Sequence, residues 1–507
     1  MTFIKSFQSA HEVSTPLLAV RTFDNRSTID SIKSHVKASN DDENAIALVQ
    51  WDCVKGVSGI NQSGFDRTKK AIKDSNSNIE LTLSLRETLR VLNYIGEDVI
   101  VFISNAHLFW NEPEVIQGIW NLRDPFKSDG SMLVLLVSSG SILPSELSHD
   151  FLTLDEPLPT EDKITKIITD TFENAGLEHP SGTVIEDATK ALIGLPAFPA
   201  EQAVAMCLDI ESQTLDINGL WSRKKQAINQ TRGLAVLETT TSLEDLGGLQ
   251  QIKNYLTRVM EGKDSPSVIL FWDEIEKDFA GMGTDTSGTK TSLAGSVLTW
   301  SQDTGVRGVI GVGVPGVGKS EIAKAIGTKF GKPVISVKLS DMESGIVGSS
   351  NENWRNAQAV IDSISNKKVF VIATCNKITS LPPELKRRFS DAIFFFDAPT
   401  EEERKSIWKV YLTKYQINSE LPDDTGWTGA EIKKCVLTAY RLNISLKEAA
   451  EYIIPVTVSD YAAIEDLRRS SSDKYLSASH PGRYSYDNEQ PEEKPDDRPS
   501  GRKMRNK

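Results

Sequence analysis

Residues 313–320 read Gly313-Val314-Pro315-Gly316-Val317-Gly318-Lys319-Ser320 and satisfy G-x-x-x-x-G-K-[ST], the P-loop pattern. Glycines in such a loop let successive backbone N–H groups converge on phosphates. The helix that follows, opened by Lys319, Ser320 and Glu321, adds a dipole that favours anions. Lys319 is placed to reach the β- and γ-phosphates, and the Ser320 hydroxyl to ligate Mg²⁺. Upstream, Val268-Ile269-Leu270-Phe271-Trp272-Asp273-Glu274 reads as a buried strand ending in two carboxylates. Asp273 would hold Mg²⁺ and Glu274 would polarise an attacking water. Residues 371–376 form a second apolar run, and its last residue, Asn376, could orient that water. An acidic pair after a strand is often just a solvated strand end, and an Asn is often a turn residue. The phosphate loop in the same chain is what gives both a chemical reading. Arg387 and Arg388 are either surface charge or fingers for a neighbour's γ-phosphate. The expected cofactors are ATP and Mg²⁺.

These residues need a layered scaffold. Short apolar runs at 268–272, 308–312, 333–338, 369–374 and 392–396 predict buried parallel strands. Helical patterns at 293–302, 319–330 and 353–364 lie between them. The hydrolysis strand precedes the phosphate loop, as if one strand–helix unit had been moved upstream. Runs at 16–21, 45–51, 98–104 and 132–138 predict an earlier α/β unit with no G-K-[ST] of its own. Residues 160–232 read helical, broken at Gly194-Leu195-Pro196 and again at Pro199, and 400–455 read helical once more. From Arg468 the chain is rich in Ser, Pro, Asp and Lys, which predicts disorder.

Composition narrows the function class. Apolar residues are 39% and charged residues 25% of 507, which suits a globular protein of two or three domains. A net charge of −13 disfavours broad binding to nucleic acid or anionic membrane. Cys53, Cys207, Cys375 and Cys435 are scattered without a C-x-x-C, and no H-E-x-x-H occurs, which favours free thiols over a metal site. No basic-then-apolar start marks a signal peptide, and no run reaches eighteen apolar residues. The cytoplasm is the expected compartment.

Residues 240–455 resemble an AAA+ ATPase of the clade of membrane-fusion and protein-unfolding ATPases. The matching stretches are Asp245-Leu246-Gly247-Gly248, Asp273-Glu274, the P-loop, Gly345-Ile346-Val347-Gly348, Thr374-Cys375-Asn376, Arg387-Arg388-Phe389 and Thr428-Gly429-Ala430-Glu431. To about residue 470 the chain is similar to a family of AAA ATPases encoded in cyanobacteria and plastids. That likeness rests on Val268–Gly281, Leu298-Thr299-Trp300 and Leu381–Leu385.

The resemblance implies a P-loop NTPase core at 239–399 with permuted strand order and a helical lid at 400–467. Before them it implies a degenerate ATPase-like α/β domain at 1–155 and a helical subdomain and linker at 156–238. Residues 468–507 remain as a disordered tail. It implies that Asp245 and Gly247 cover the adenine while Gly429 and Ala430 approach from the lid. It also implies a homo-oligomeric, hexameric ring. The sheet order it implies is 5-1-4-3-2, visited here as 3, 1, 2, 4, 5, and right-handed crossovers still leave each helix on its usual face. Ile346 stands where unfoldases carry an aromatic for gripping polypeptide, and Lys386-Arg387-Arg388-Phe389-Ser390-Asp391 is compressed.

Two functions follow. One is an oligomeric ATPase that remodels a protein client. The other is a nucleotide-dependent switch or scaffold with slow hydrolysis, its partner bound by the N-terminal module. A nucleic-acid motor is disfavoured by the acidic balance.

Overall fold

The computed structural model describes residues 3–36, 46–238, 241–279, 289–343, 349–376, 378, 381, 383–389 and 391–486. The chain is mixed α/β. Its first sheet has six strands: β1 (Leu17–Thr22), β2 (Ala47–Asp52), β3 (Gly56–Gly59), β4 (Val99–Ser104), β5 (Met132–Ser138) and β6 (Leu152–Asp155). The order across the sheet is β3-β2-β4-β5-β1-β6. All neighbours are parallel except the β2–β3 pair. Side chains alternate between faces. Leu17 and Ala19 enter one apolar cluster, while Leu18 and Val20 enter another. Helices cover both faces, which is why β4 and β5 read as unbroken apolar runs.

Four helices follow, Glu161–Asn174, Gly182–Leu192, Ala197–Cys207 and Ile217–Gln230. They pack around Ile164, Ile168, Phe172, Leu192, Val204 and Leu220. A small hairpin, β7 (Leu208–Asp209) with β8 (Thr214–Leu215), joins the last two. Pro199 does not break the chain as its type suggested. It sits in the first turn of Ala197–Cys207, where its missing N–H leaves no helical bond unmade.

The second sheet has seven strands. They are β9 (Leu234–Leu237), β10 (Val268–Trp272), β11 (Arg307–Gly313), β12 (Val334–Val337), β13 (Val369–Cys375), β14 (Ala392–Phe396) and β15 (Leu476–Ser477). Their order is β15-β14-β11-β13-β10-β12-β9, with only β9 antiparallel to its neighbour. Val268, Leu270 and Trp272 face one cluster with Trp300 and Trp354; Ile269 and Phe271 face another with Ile322 and Phe394. The sheet is therefore buried on both faces. The P-loop leaves the carboxyl end of β11, and the acidic pair leaves β10, two positions away across β13.

The expected disorder from Arg468 onward is overturned for residues 468–486. The helix Tyr461–Ser471 runs through this boundary, and β15 joins the edge of the sheet. Arg468 donates to Asp397 (Nε to Oδ1, 2.9 Å) and to Glu465 (Nη1 to Oε1, 2.9 Å). The Tyr484 hydroxyl donates to Asp397 Oδ2 at 2.7 Å, and its ring lies 4.2 Å from that of Phe395. The Tyr486 hydroxyl donates to Glu465. Tyrosines carry a large apolar body with one polar tip. They supply the burial that a count of aliphatic residues missed.

Candidate functional site

Each candidate side chain is held by the local chemistry of a strand end. Gly313 has φ 149°, and a Cβ there would meet the Phe396 carbonyl oxygen at 2.0 Å, so the loop can pass β14 only as glycine. The helix Lys319–Phe330 begins directly after Gly318, itself at φ 94°. Lys319 Nζ donates to the carbonyls of Gly313 (2.7 Å) and Val314 (2.9 Å), so the ammonium lies folded against its own loop. Burial pushes that ammonium down to about 8, against the pull of Glu276, Cys375, Asp273 and Glu274.

Across from it, the Ser320 hydroxyl donates to Asp273 Oδ1 at 2.9 Å. Thr374 Oγ1 donates to the same oxygen at 2.6 Å and accepts the Glu274 N–H at 2.8 Å. Glu274 is left-handed at φ 48° and opens the short helix Ile275–Asp278. Asp278 Oδ2 accepts the Trp272 indole N–H at 2.7 Å and the Leu339 N–H at 3.2 Å, which pins the far end of that turn. Asn376 bridges two carboxylates. Its Nδ2 donates to Glu274 Oε1 at 2.9 Å, and its backbone N–H donates to Glu276 Oε1 at 2.9 Å.

A cavity of about 370 Å³ joins these groups. Asp245, Gly247, Asp273, Glu274, Asn376, Gly429, Ala430 and residues 315–321 all line it. Gly313 and Val314 do not line it, but their carbonyls accept from Lys319, which does. The Ala430 N–H donates to the Gly316 carbonyl at 3.0 Å, so the helix Gly429–Leu442 touches the loop directly. Asp245 accepts the Ser242 N–H at 2.7 Å, and Gly247 packs against Ile407. Glu321 pairs with Lys324 at 3.0 Å at the cavity margin.

Arg387 does not join them. It is exposed on Pro383–Phe389 and does not line the cavity. The Arg388 side chain and residues 345–348, Ile346 included, lie outside what the structure describes. Sequence reasoning missed Thr374, Glu276, Tyr411 and Lys433 as contributors. For Thr374 and Glu276 a signal existed, in the polar residues two before Asn376 and two after Glu274.

The donor set fits a hard cation, since Ser320 and Asp273 bring two oxygens together. Among the described residues no group of three or more His, Cys, Asp or Glu side chains forms a metal cage. Mg²⁺ would therefore take its other ligands from phosphate and water, as it commonly does.

A larger cleft, about 840 Å³, lies at the carboxyl ends of β1, β4 and β5. Phosphate is not expected there. Asp24 caps the helix Asn25–Lys33, its carboxylate accepting the N–H groups of Arg26 and Ser27 at 3.1 Å each. An anion already occupies that helix terminus.

A parallel sheet with a phosphate-loop sequence at one strand end and an acidic pair on a nearby strand is the arrangement of P-loop nucleotide-binding proteins. Residues 309–363 match the family model for the ATPase family associated with various cellular activities (AAA), and residues 3–156 match that for the SpoVK-like AAA ATPase N-terminal domain. The chain is 24% identical to the uncharacterized AAA domain-containing protein ycf46 of Guillardia theta, over 92% of this chain and 94% of that one. It is 25% identical to the ycf46 protein of Pyropia yezoensis, over 93% and 98%. A shorter match, 27% identical over 30% of this chain, covers 25% of the chloroplastic ATP-dependent zinc metalloprotease FTSH 7 of Oryza sativa subsp. japonica. The chain thus matches AAA ATPase models in both its first and its second α/β unit and is similar over nearly its full length to the ycf46 proteins.

Proposed function

We propose that the chain hydrolyses ATP with Mg²⁺ in a permuted AAA+ core and uses the cycle to remodel a protein client. The observation that carries this is the convergence of Lys319, Ser320, Asp273, Glu274 and Asn376 on one cavity from three separate segments. Lys319 binds phosphate, Ser320 and Asp273 hold the cation, and Glu274 accepts the water's proton while Asn376 orients the pair. Bound Mg²⁺ neutralises charge on the phosphates. The permuted reading is supported by the sheet itself: taking β10, β11, β12, β13 and β14 as strands 3, 1, 2, 4 and 5 gives the order 5-1-4-3-2. The similarity to AAA ATPases supports a homo-oligomeric ring, with Arg387 or Arg388 facing a neighbour's γ-phosphate. No described helix is long and apolar enough to cross a membrane, and none of the four cysteines forms a disulfide, in keeping with the reducing, cytoplasmic setting proposed here.

Lys319→Ala should weaken ATP binding, and Glu274→Gln should bind ATP yet fail to turn it over. Calorimetry and a phosphate-release assay read the two effects. Wild-type turnover by Glu274→Gln would sink the assignment. The switch reading, with slow hydrolysis, is favoured by one observation: both oxygens of Glu274 are already engaged, one by Asn376 and one by Lys277. A hydrolysis-dead Glu274→Gln pull-down that retains a client only in ATP would favour remodelling.

A further inference from the structure

We propose that Lys277 is a positioning residue that latches the Glu274 carboxylate and so limits basal turnover. The inference rests on the reading of Glu274 as the base. Lys277 Nζ forms an ion pair with Glu274 Oε2 while Asn376 Nδ2 holds Oε1 at 2.9 Å. A carboxylate held by both oxygens has a fixed rotamer. To act as a base it has to come within hydrogen-bond reach of the water, so one of the two contacts must be released or shared.

The backbone sets up the contact. Glu274 opens the helix Ile275–Asp278, and Lys277 lies three residues on, the spacing at which helical side chains meet. Asp278 anchors this turn to Trp272, Leu339 and Ser340, so the Lys277 main chain is fixed. Its side chain is 69% exposed and Glu274's is 39% exposed, so the pair is within reach of salt and easily opened. Glu274, Glu276 and Asp273 all raise the Lys277 ammonium above its ordinary value, Glu274 most. The phosphate-loop lysine, Lys319, is occupied by backbone carbonyls and does not compete. Among the described residues Lys277 is thus the cation that an incoming water, phosphate or partner group must displace or share before Glu274 is free.

The test uses the full chain at saturating ATP. Lys277→Gln should raise kcat about two- to five-fold, the range that loss of one exposed ion pair supports, with KM unchanged. Wild-type kcat should rise as NaCl goes from about 50 to about 300 mM, where screening shortens sharply, and the variant should lose that response. Lys277→Arg keeps the ion pair and should keep the wild-type rate. The exposed position predicts an unchanged melting temperature. A Lys277→Gln enzyme as slow as wild type, or slower, overturns the latch. Glu274→Gln separates the two claims. If it hydrolyses normally, the base assignment fails. If it is inactive and Lys277→Gln is no faster than wild type, only the latch fails.

Discussion

Lys319 shows how a binding residue is kept ready at a cost. Its ammonium is buried against two carbonyls and pushed down to about 8. Phosphate favours the charged form, so ATP binding should draw in a proton between about 8 and the ordinary lysine value of about 10.4. Affinity should be level below pH 7 and weaken as pH rises through 8. Calorimetry at about pH 7 and about pH 9, in buffers of different ionisation enthalpy, reads both the affinity and the proton uptake. Equal affinity at the two pH values would show that Lys319 is not the group that meets phosphate. In the empty protein the sign for stability is opposite. The unfolded chain binds more protons across that same window, so the lysine's contribution to stability rises with pH.

Among the elements, the segment from Tyr461 to Tyr486 changes most from its sequence reading. It straps β14 to the start of the helix Gln250–Glu261, because Ala478 N–H donates to Phe395 at 2.9 Å and its carbonyl accepts from Ile252 at 3.1 Å. A chain ending after Tyr486 should melt like the full chain. One ending after Ser471 removes β15 and Tyr484 and leaves Asp397 without that hydroxyl. It should lose on the order of 3 kcal/mol, typical of deleting a buried aromatic with its hydrogen bond. ATP affinity should fall as well, since Ser479 borders the hollow formed by Gly247, Leu249 and Gly429. Thermal melting with and without an ATP analogue measures both. An unchanged melting curve for the shorter chain would show that the strap does not contribute to stability.

The whole molecule joins two α/β units through a polar seam. Ser138 Oγ at the end of β5 donates to Glu352 Oε1 at 2.7 Å, and Gly140 leaves no room for a Cβ beside that residue. With Asp24 filling its helix terminus, the first unit should not bind nucleotide. Full-length Lys319→Ala should then show no residual micromolar site by calorimetry; a second site surviving that change would contradict this. The ring reading makes a different demand. Arg387→Ala/Arg388→Ala should abolish hydrolysis while sparing ATP affinity, because an arginine finger contributes about 10³-fold or more. Mixing that protein with Lys319→Ala, once labelled subunits are seen to exchange, should restore activity at interfaces that pair an intact loop with intact arginines. Mixed rings without recovery, together with activity of wild type at monomeric dilution, would place the whole site in one chain.

The chemistry was readable wherever its residues are contiguous. Gly313–Ser320 declares itself because a phosphate cradle is built from successive backbone N–H groups, and Asp273-Glu274 and Asn376 declare themselves as polar ends of apolar strands. Only the tertiary structure decided how these ends meet. The bond between Ser320 and Asp273 exists because β13 lies between β10 and β11 in a parallel sheet, a pairing that no local pattern states. The same holds for the strap, where Tyr484 and Arg468 find Asp397 far away in sequence. Local sequence determines which groups a strand end presents. Long-range strand order and side-chain burial determine which of those groups come within a hydrogen bond of one another.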